Sequence, residues 1–275
     1  AGSPITVSGL SNGTAYTFGV FALNSYGPSP ISAFSNSVTA VLDGTFAIFA
    51  LGCVTLVGRS AARDKYTYSG CAVTTATAAT AASRFGSAAG NTSVGIFQLG
   101  CNVPTTRNKY TYSNNVVSIA TALTSPSYTN SAAGNSTFGI FTVGSTARNK
   151  YTYSGDVVSA GGSATIPSSY GSAVGNSTVG IFTLGCAAGR TNTRNKYTYS
   201  GDVVGAATAA TSDGIYGSAA GNGTVGIIAI GCFGTGVTTR NRYTYSGCVV
   251  AAGGAATQGA AGGSATSNGI NGVTL

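Results

Sequence analysis

The residue types best able to do chemistry are cations and phenols, and they recur in fixed order. Arg63 and Lys65, Arg107 and Lys109, Arg148 and Lys150, Arg194 and Lys196, and Arg240 and Arg242 supply ten of the 13 Lys and Arg residues. Each pair is followed at once by a tyrosine: Tyr66, Tyr110, Tyr151, Tyr197 or Tyr243. Converging positive charge raises the local concentration of anions, and a tyrosine ring stacks on a sugar or aromatic face. These residues are the candidate ligand-binding set, for a glycan or another anionic polymer. The competing reading is structural, with Arg and Lys stems covering the rings and their charges meeting Asp64, Asp156 and Asp202. The second and fifth copies of the segment carry no Asp, so pairing leaves part of the net charge of +8 unanswered.

Other chemistry is scarce. The chain has no His, Glu, Met or Trp, and its five acidic residues are Asp43, Asp64, Asp156, Asp202 and Asp213. Acid–base catalysis near neutral pH usually rests on His or on carboxylates with shifted pKa, and zinc on His or closely spaced Cys. No catalytic residue, metal site or cofactor is therefore expected. Asp156 and Asp202 share a repeat position with Cys71, Asn115 and Cys248, which reads as a turn cap. Asn91, Asn135, Asn176 and Asn222 begin Asn-x-Ser/Thr triplets at equivalent places, as does Asn12. The triplet fits N-glycosylation, and a repeated turn requirement explains it better. Six cysteines allow fifteen pairings. One rule pairs each Ser-Gly cysteine with the apolar-strand cysteine of the next repeat: Cys71 with Cys101 and, through ring closure, Cys248 with Cys53. Pairing within the first and fifth repeats fits equally, and so do buried thiols.

The elements that position these residues follow from repetition. The run Lys/Arg-Tyr-Thr-Tyr-Ser occurs five times, and its first tyrosines lie 41 to 46 residues apart. That period suits one propeller blade. The fourth copy shows the internal order: Tyr170-Gly-Ser-Ala-Val-Gly-Asn-Ser-Thr, then Val179-Gly-Ile-Phe-Thr-Leu-Gly185, a polar loop, and Thr193-Arg-Asn-Lys-Tyr-Thr-Tyr-Ser-Gly-Asp-Val-Val204. Period-two geometry puts Tyr197 and Tyr199 on one face of a strand and Lys196, Thr198 and Ser200 on the other. Ile181, Phe182 and Leu184 are apolar on both faces, as a strand between two neighbouring sheets requires. Gly-Asn-Ser-Thr supplies the hairpin turn. A unit of this size cannot cover both its faces alone, so the units pack on each other, and a ring avoids exposed ends.

This order resembles the kelch repeat over roughly residues 44 to 250, with Leu-Gly, Val-Gly or Ile-Gly (Gly52, Gly100, Gly144, Gly185, Gly231) in place of the Gly-Gly pair and no Trp. The resemblance implies architecture and leaves function open. Ahead of it, Ile5 to Gly27 resembles the C-terminal half of a fibronectin type III domain, with Leu10 and Tyr16 at its corner positions and Ala22-Leu-Asn-Ser-Tyr-Gly27 at its penultimate strand and turn. Half a sandwich leaves an apolar face open, which implies a longer parent protein, with oligomer contacts as the alternative. The stretch Ala251–Leu275 holds a degenerate half-repeat, which competes with Val38-Thr-Ala-Val-Leu42 to complete the first blade.

The expectation is an all-β chain: a partial sandwich over residues 1–40, then a propeller of about five four-stranded blades over residues 41–275. No apolar run approaches the roughly 20 residues of a membrane-crossing helix, and the N-terminus lacks a basic stretch leading into an apolar one, so no membrane insertion is expected. A chain with 7% charged residues and six cysteines without a CxxC pair fits an oxidising exterior or particle surface. Low-charge Thr/Ser/Asn repeats beside fibronectin-type segments look like those of phage virion fibres and bacterial surface proteins. The resemblance implies a non-enzymatic adhesion module that contacts surface glycans, or a decoration or filament subunit that binds other surface proteins or its own copies. A nucleic-acid partner is disfavoured, because the basic residues are few and no recognition motif occurs.

Overall fold

Alternating five-residue runs make strands, and strands account for nearly all of the regular secondary structure in the computed structural model. It describes residues 14–39, 46–50, 58–67, 72–186, 189–231, 237–258, 265–267 and 272–274, with Val7 and Leu10. The chain divides into two units, Ala1–Asp43 and Gly44–Leu275.

In the first unit β1 (Ala15–Tyr16) pairs with β4 (Val38–Thr39), and β2 (Leu23–Asn24) with β3 (Gly27–Pro28). Between these pairs one strand advances two residues while its partner advances three. Ser29, Ser32 and Ser35 donate their backbone N–H to the carbonyls of Ala22, Val20 and Phe18. Each seryl Oγ then accepts from the N–H of the same partner, at 2.9, 3.0 and 3.0 Å. An extra residue per step would orphan a backbone donor, and the hydroxyl takes it up. The Ser-x-x-Ser-x-x-Ser spacing escaped the period-two reading because it is a period of three. Val38–Thr39 is used here, not in a blade.

The second unit is a β-propeller. Its first blade has β5 (Phe46–Ala50), β6 (Arg63–Thr67) and β7 (Ala72–Ala76). The second has β8 (Ser87–Gly90), β9 (Val94–Gln98), β10 (Arg107–Thr111) and β11 (Val116–Ala120). The third has β12 (Ala132–Gly134), β13 (Phe138–Thr142), β14 (Arg148–Thr152) and β15 (Val157–Gly161). The fourth has β16 (Ala173–Gly175), β17 (Val179–Thr183), β18 (Arg194–Thr198) and β19 (Val203–Ala207). The fifth has β20 (Ser218–Gly221), β21 (Val225–Ala229), β22 (Arg240–Thr244) and β23 (Val249–Ala252). Each blade is an antiparallel meander in chain order.

The expected five-bladed, all-β architecture is thus present, with three strands of the first blade among the described residues. The strands β8, β12, β16 and β20 touch one another in succession and line the axis. The degenerate C-terminal half-repeat forms a hairpin, β24 (Ala265–Ser267) with β25 (Gly272–Thr274). Both strands touch β20, as β20 and β21 touch β16 in the blade before. Among the described residues neither strand pairs with β5, β6 or β7, and what completes the first blade lies outside them.

Blades mate through two unlike faces. Register sets Ile181 opposite Lys196 and Thr183 opposite Arg194 on one face, and Phe182 opposite Asn195 and Gly180 opposite Tyr197 on the other. The Phe/Tyr/Asn face of one blade packs on the Val/Ile/Arg face of the blade before it. Thus Phe141, Tyr151 and Tyr153 lie on Val94, Ile96 and Ala120, and Ile228, Tyr243 and Tyr245 lie on Val174, Val179 and Ile181.

Candidate functional site

The structure places the Arg-x-Lys-Tyr segments between the blades, not on a rim. Arg63, Arg107, Arg148 and Arg194 are 0 to 2% exposed, and Tyr110, Tyr151, Tyr197 and Tyr243 are at most 1% exposed. Arg240, Tyr66 and the lysines Lys65, Lys109, Lys150 and Lys196 are half-buried, and only Arg242 is exposed. The physical reason is that the third strand of each blade has a sheet on both sides, so alternation does not send the charged face to water. Each guanidinium reaches the following blade. Arg63, Arg107, Arg148 and Arg194 donate through Nη2 to Oδ1 of Asn108, Asn149, Asn195 and Asn241 at 3.2, 3.4, 3.1 and 2.8 Å. Arg63, Arg107 and Arg148 also lie on the rings of Phe97, Phe141 and Phe182, at 4.4, 4.7 and 4.6 Å from the ring centres. Burial pushes these four guanidinium pKa values down to about 10.

The asparagines at the centre of these contacts went unnoticed in the sequence. Each Oδ1 also accepts from a backbone N–H (Thr80, Thr124, Thr165, Thr211), and each Nδ2 donates to the same threonine's hydroxyl at 2.7 Å. Their signal was invariance: Asn stands between Arg and Lys/Arg in four copies, and Asp64 in the first.

The smaller motifs fall into place as structure. Among the described residues the one ion pair is Lys150 Nζ to Asp202 Oδ2 at 2.9 Å, joining adjacent blades. Asn115, Asp156, Asp202 and Cys248 all sit at φ between 52 and 58°, in the left-handed region of a turn. Asp202 accepts from Tyr197 Oη at 2.8 Å, and Asp156 from Tyr151 Oη. Asn91, Asn135, Asn176 and Asn222 each accept two backbone N–H bonds on Oδ1, for Asn176 from Thr178 and Val179 at 2.9 and 3.0 Å. Nδ2 of Asn91, Asn135 and Asn176 donates to the next blade's turn. Cys101 and Cys248 are thiols. Cys53, Cys71 and Cys232 lie outside the described residues, but with Cys101 and Cys248 free neither is joined to Cys71 or Cys53.

A different set of residues forms a site at one end of the axis. Phe85, Tyr170 and Tyr216 each precede the Gly-Ser/Ala step into an inner strand, and each holds a positive φ, of 60, 56 and 59°. Bulky residues rarely adopt this conformation, which costs about 1–3 kcal/mol. The neighbouring turn imposes it: a Cβ on Gly171 would lie 2.0 Å from the Thr183 carbonyl oxygen, and one on Gly185, at φ 67°, would lie 2.2 Å from Ser169 O. The three rings converge, Tyr170 to Tyr216 at 4.5 Å, Phe85 to Tyr216 at 6.0 Å and Phe85 to Tyr170 at 6.3 Å. Tyr216 N–H donates to Tyr170 O at 2.9 Å.

These rings border a cavity of about 540 Å³, lined also by Arg84, Ser87, Gln98, Thr129, Asn130 and the β5 residues Ile48 to Ala50. Four of its polar atoms are buried without a hydrogen-bond partner: Arg84 Nε, Ser87 Oγ, Gln98 Oε1 and Asn130 Nδ2. Gln98, 1% exposed, is held from behind by Nε2 donating to Thr142 O at 3.4 Å. Arg84 lies over Phe85 at 5.1 Å. Burial, and then the hydrogen bond with Tyr170, raise the Tyr216 phenol pKa. Among the described residues no carboxylate lines the cavity, so the site combines apolar ring faces, one cation and unpaired donors and acceptors. The sequence signal was an aromatic residue before Gly-Ser in three repeats, beside one of the three cations outside the five pairs.

Fold and site together define a β-propeller with an aromatic axial mouth. No protein-family model matches the chain, and no curated protein matches it in sequence. Among solved structures it is similar to the propeller YjhT, with TM-score 0.61 and 10% identity over 75% of this chain and 81% of that one. At that identity the likeness is one of fold.

Proposed function

We propose that this protein is a non-enzymatic recognition module of an extracellular or virion surface, which binds a surface glycan or related anionic polymer at the axial mouth. The observation that carries the reading is the convergence of Phe85, Tyr170 and Tyr216, held in an unfavourable backbone conformation, on a cavity with four unpartnered polar atoms. Backbone strain is retained where surrounding structure and function demand it. Aromatic faces with a few fixed polar groups are what a sugar ring needs, and Arg84 offers a carboxylated or sulfated sugar its counter-charge. The kelch-like repeat order and the fibronectin-like leading segment agree with a display role on a particle or cell exterior. Asp156 and Asp202 are committed to turns and Asp213 is not in the cavity lining, so the reading includes no reaction.

A glycan array followed by calorimetry tests it. Tyr170→Ala, Tyr216→Ala and Arg84→Gln should each weaken binding tenfold or more, about 1.4 kcal/mol, while Lys109→Ala leaves it unchanged. Binding that survives loss of both axial tyrosines would place the ligand elsewhere. Tyr-to-Ala changes in the Arg-x-Lys-Tyr segments would only report unfolding. The second reading, an architectural subunit that binds other chains, draws on exposed apolar side chains of the first unit: Leu23, Tyr26 and Phe34 are 74, 99 and 65% exposed. Assembly in solution without glycan binding would favour it.

A further inference from the structure

We propose that the niche beside Arg194 is a binding site for one small monovalent anion of chloride or bromide size. Arg194 is 0% exposed, and its Nε and Nη1 have no hydrogen-bond partner. Its Nη2 donates to Asn241 Oδ1 at 2.8 Å, a neutral acceptor. No described carboxylate forms an ion pair with it. In the other interfaces the guanidinium rests on the ring of Phe97, Phe141 or Phe182, but the fifth blade has Ile228 in that register, opposite Asn241. The smaller side chain leaves a cavity of about 20 Å³ lined by Arg194, Ile228, Ser172, Thr183 and Thr191.

That volume takes one small species. A water molecule would accept the orphaned N–H bonds but leave the buried charge uncompensated, and burying an unpaired charge is costly. A halide accepts the same bonds and neutralises the charge. The net charge of +8 makes anion uptake favourable for the whole molecule as well. Arg63 and Arg107 have the same two orphaned nitrogens, but each is covered by a phenylalanine ring. The absent ring therefore singles out the Arg194 interface.

The test uses the full chain. Crystals soaked in sodium bromide should show an anomalous peak at Arg194 Nε and Nη1. Replacing a bulky organic anion by bromide at constant ionic strength should raise the melting midpoint by about 5 °C once bromide exceeds its dissociation constant a hundredfold. Ile228→Phe, which restores the residue of the other blades, should fill the niche, abolish the peak and flatten the halide response while the protein still folds. Asn241→Asp, which supplies a fixed carboxylate, should do the same. A niche whose density carries no anomalous signal, a wild-type midpoint indifferent to bromide, or a peak that persists in Ile228→Phe would each overturn the proposal.

Discussion

Arg148 shows what kind of cation the interblade layers accept. Its guanidinium donates to Asn195 Oδ1 and Gly162 O at 3.1 and 3.3 Å, and lies 4.6 and 5.8 Å from the ring centres of Phe182 and Tyr197. A flat, weakly hydrated fork suits two ring faces and two acceptors, whereas an ammonium does not. Arg148→Lys should therefore cost more than Arg148→Met, roughly 3 against 1 kcal/mol, since an apolar replacement also removes a buried charge. Denaturant unfolding of the two variants checks the order. Tyrosines permit a second contrast. The Tyr199 hydroxyl is buried without a partner, while Tyr197 Oη donates to Asp202 and accepts from the Gly162 N–H at 3.2 Å. Tyr199→Phe should be neutral or stabilising, and Tyr197→Phe should cost about 1–2 kcal/mol. Cys248 presents the opposite opportunity. It holds φ 52° at a position filled elsewhere by Asn and Asp, with Lys196 Nζ 3.6 Å from its sulfur. Cys248→Asp should add about 0.5–1 kcal/mol through an easier left-handed backbone and a Lys196 ion pair, seen as a higher melting midpoint.

At the scale of the strand and hairpin, repetition made much of the protein legible. The blade period, the hairpins and the apolar second strand depend on contacts within one repeat, so residues such as Asn176 and Ile181 announce them. Gly180 shows how local the code is: a Cβ there would meet Tyr199 Oη at 2.9 Å and the Phe182 ring at 3.0 Å. Gly180→Ala should cost about 1–3 kcal/mol by overpacking, and pairing it with Tyr199→Phe should recover part of that loss in a double-mutant cycle. What escaped the sequence lies between repeats. Arg148 finds its acceptor on Asn195, 47 positions away, so its charge read as a surface signal when it was an interface contact. The axial site escaped for another reason. Phe85, Tyr170 and Tyr216 are forced into a left-handed turn that no propensity assigns to aromatics, and only the approach of a neighbouring turn reveals it. The hairpin asparagines test the same boundary. Asn135→Asp keeps the two backbone bonds on Oδ1 and loses only the Nδ2 bond to Ser177 O, so it should cost about half as much as Asn135→Ala, itself near 2 kcal/mol.

For the propeller as a whole, the balance of buried ionisable groups sets a response to alkali. Burial raises the phenol pKa values of Tyr110, Tyr153, Tyr197, Tyr199, Tyr216, Tyr243 and Tyr245 above 10.0. A group whose folded pKa is raised contributes stability that is complete below its unfolded pKa and is lost as pH climbs toward the folded value. The four buried guanidiniums act in the reverse sense, because a value lowered by burial from the ordinary guanidinium range to about 10 makes the unfolded chain the tighter proton binder above pH 10. Seven phenols face four guanidiniums, so the net slope above pH 10 is downward. Unfolding free energy should hold level from pH 7 to about 9.5 and then fall. Phenolate absorbance of the buried tyrosines should appear only together with loss of the β-sheet circular dichroism signal, because neighbouring blades cover those rings and expose them by separating. Gradual titration of all 15 tyrosines ahead of unfolding would mean that water reaches the layers between blades, and the interlocking of Arg/Ile and Tyr/Phe faces would then not be what holds the ring.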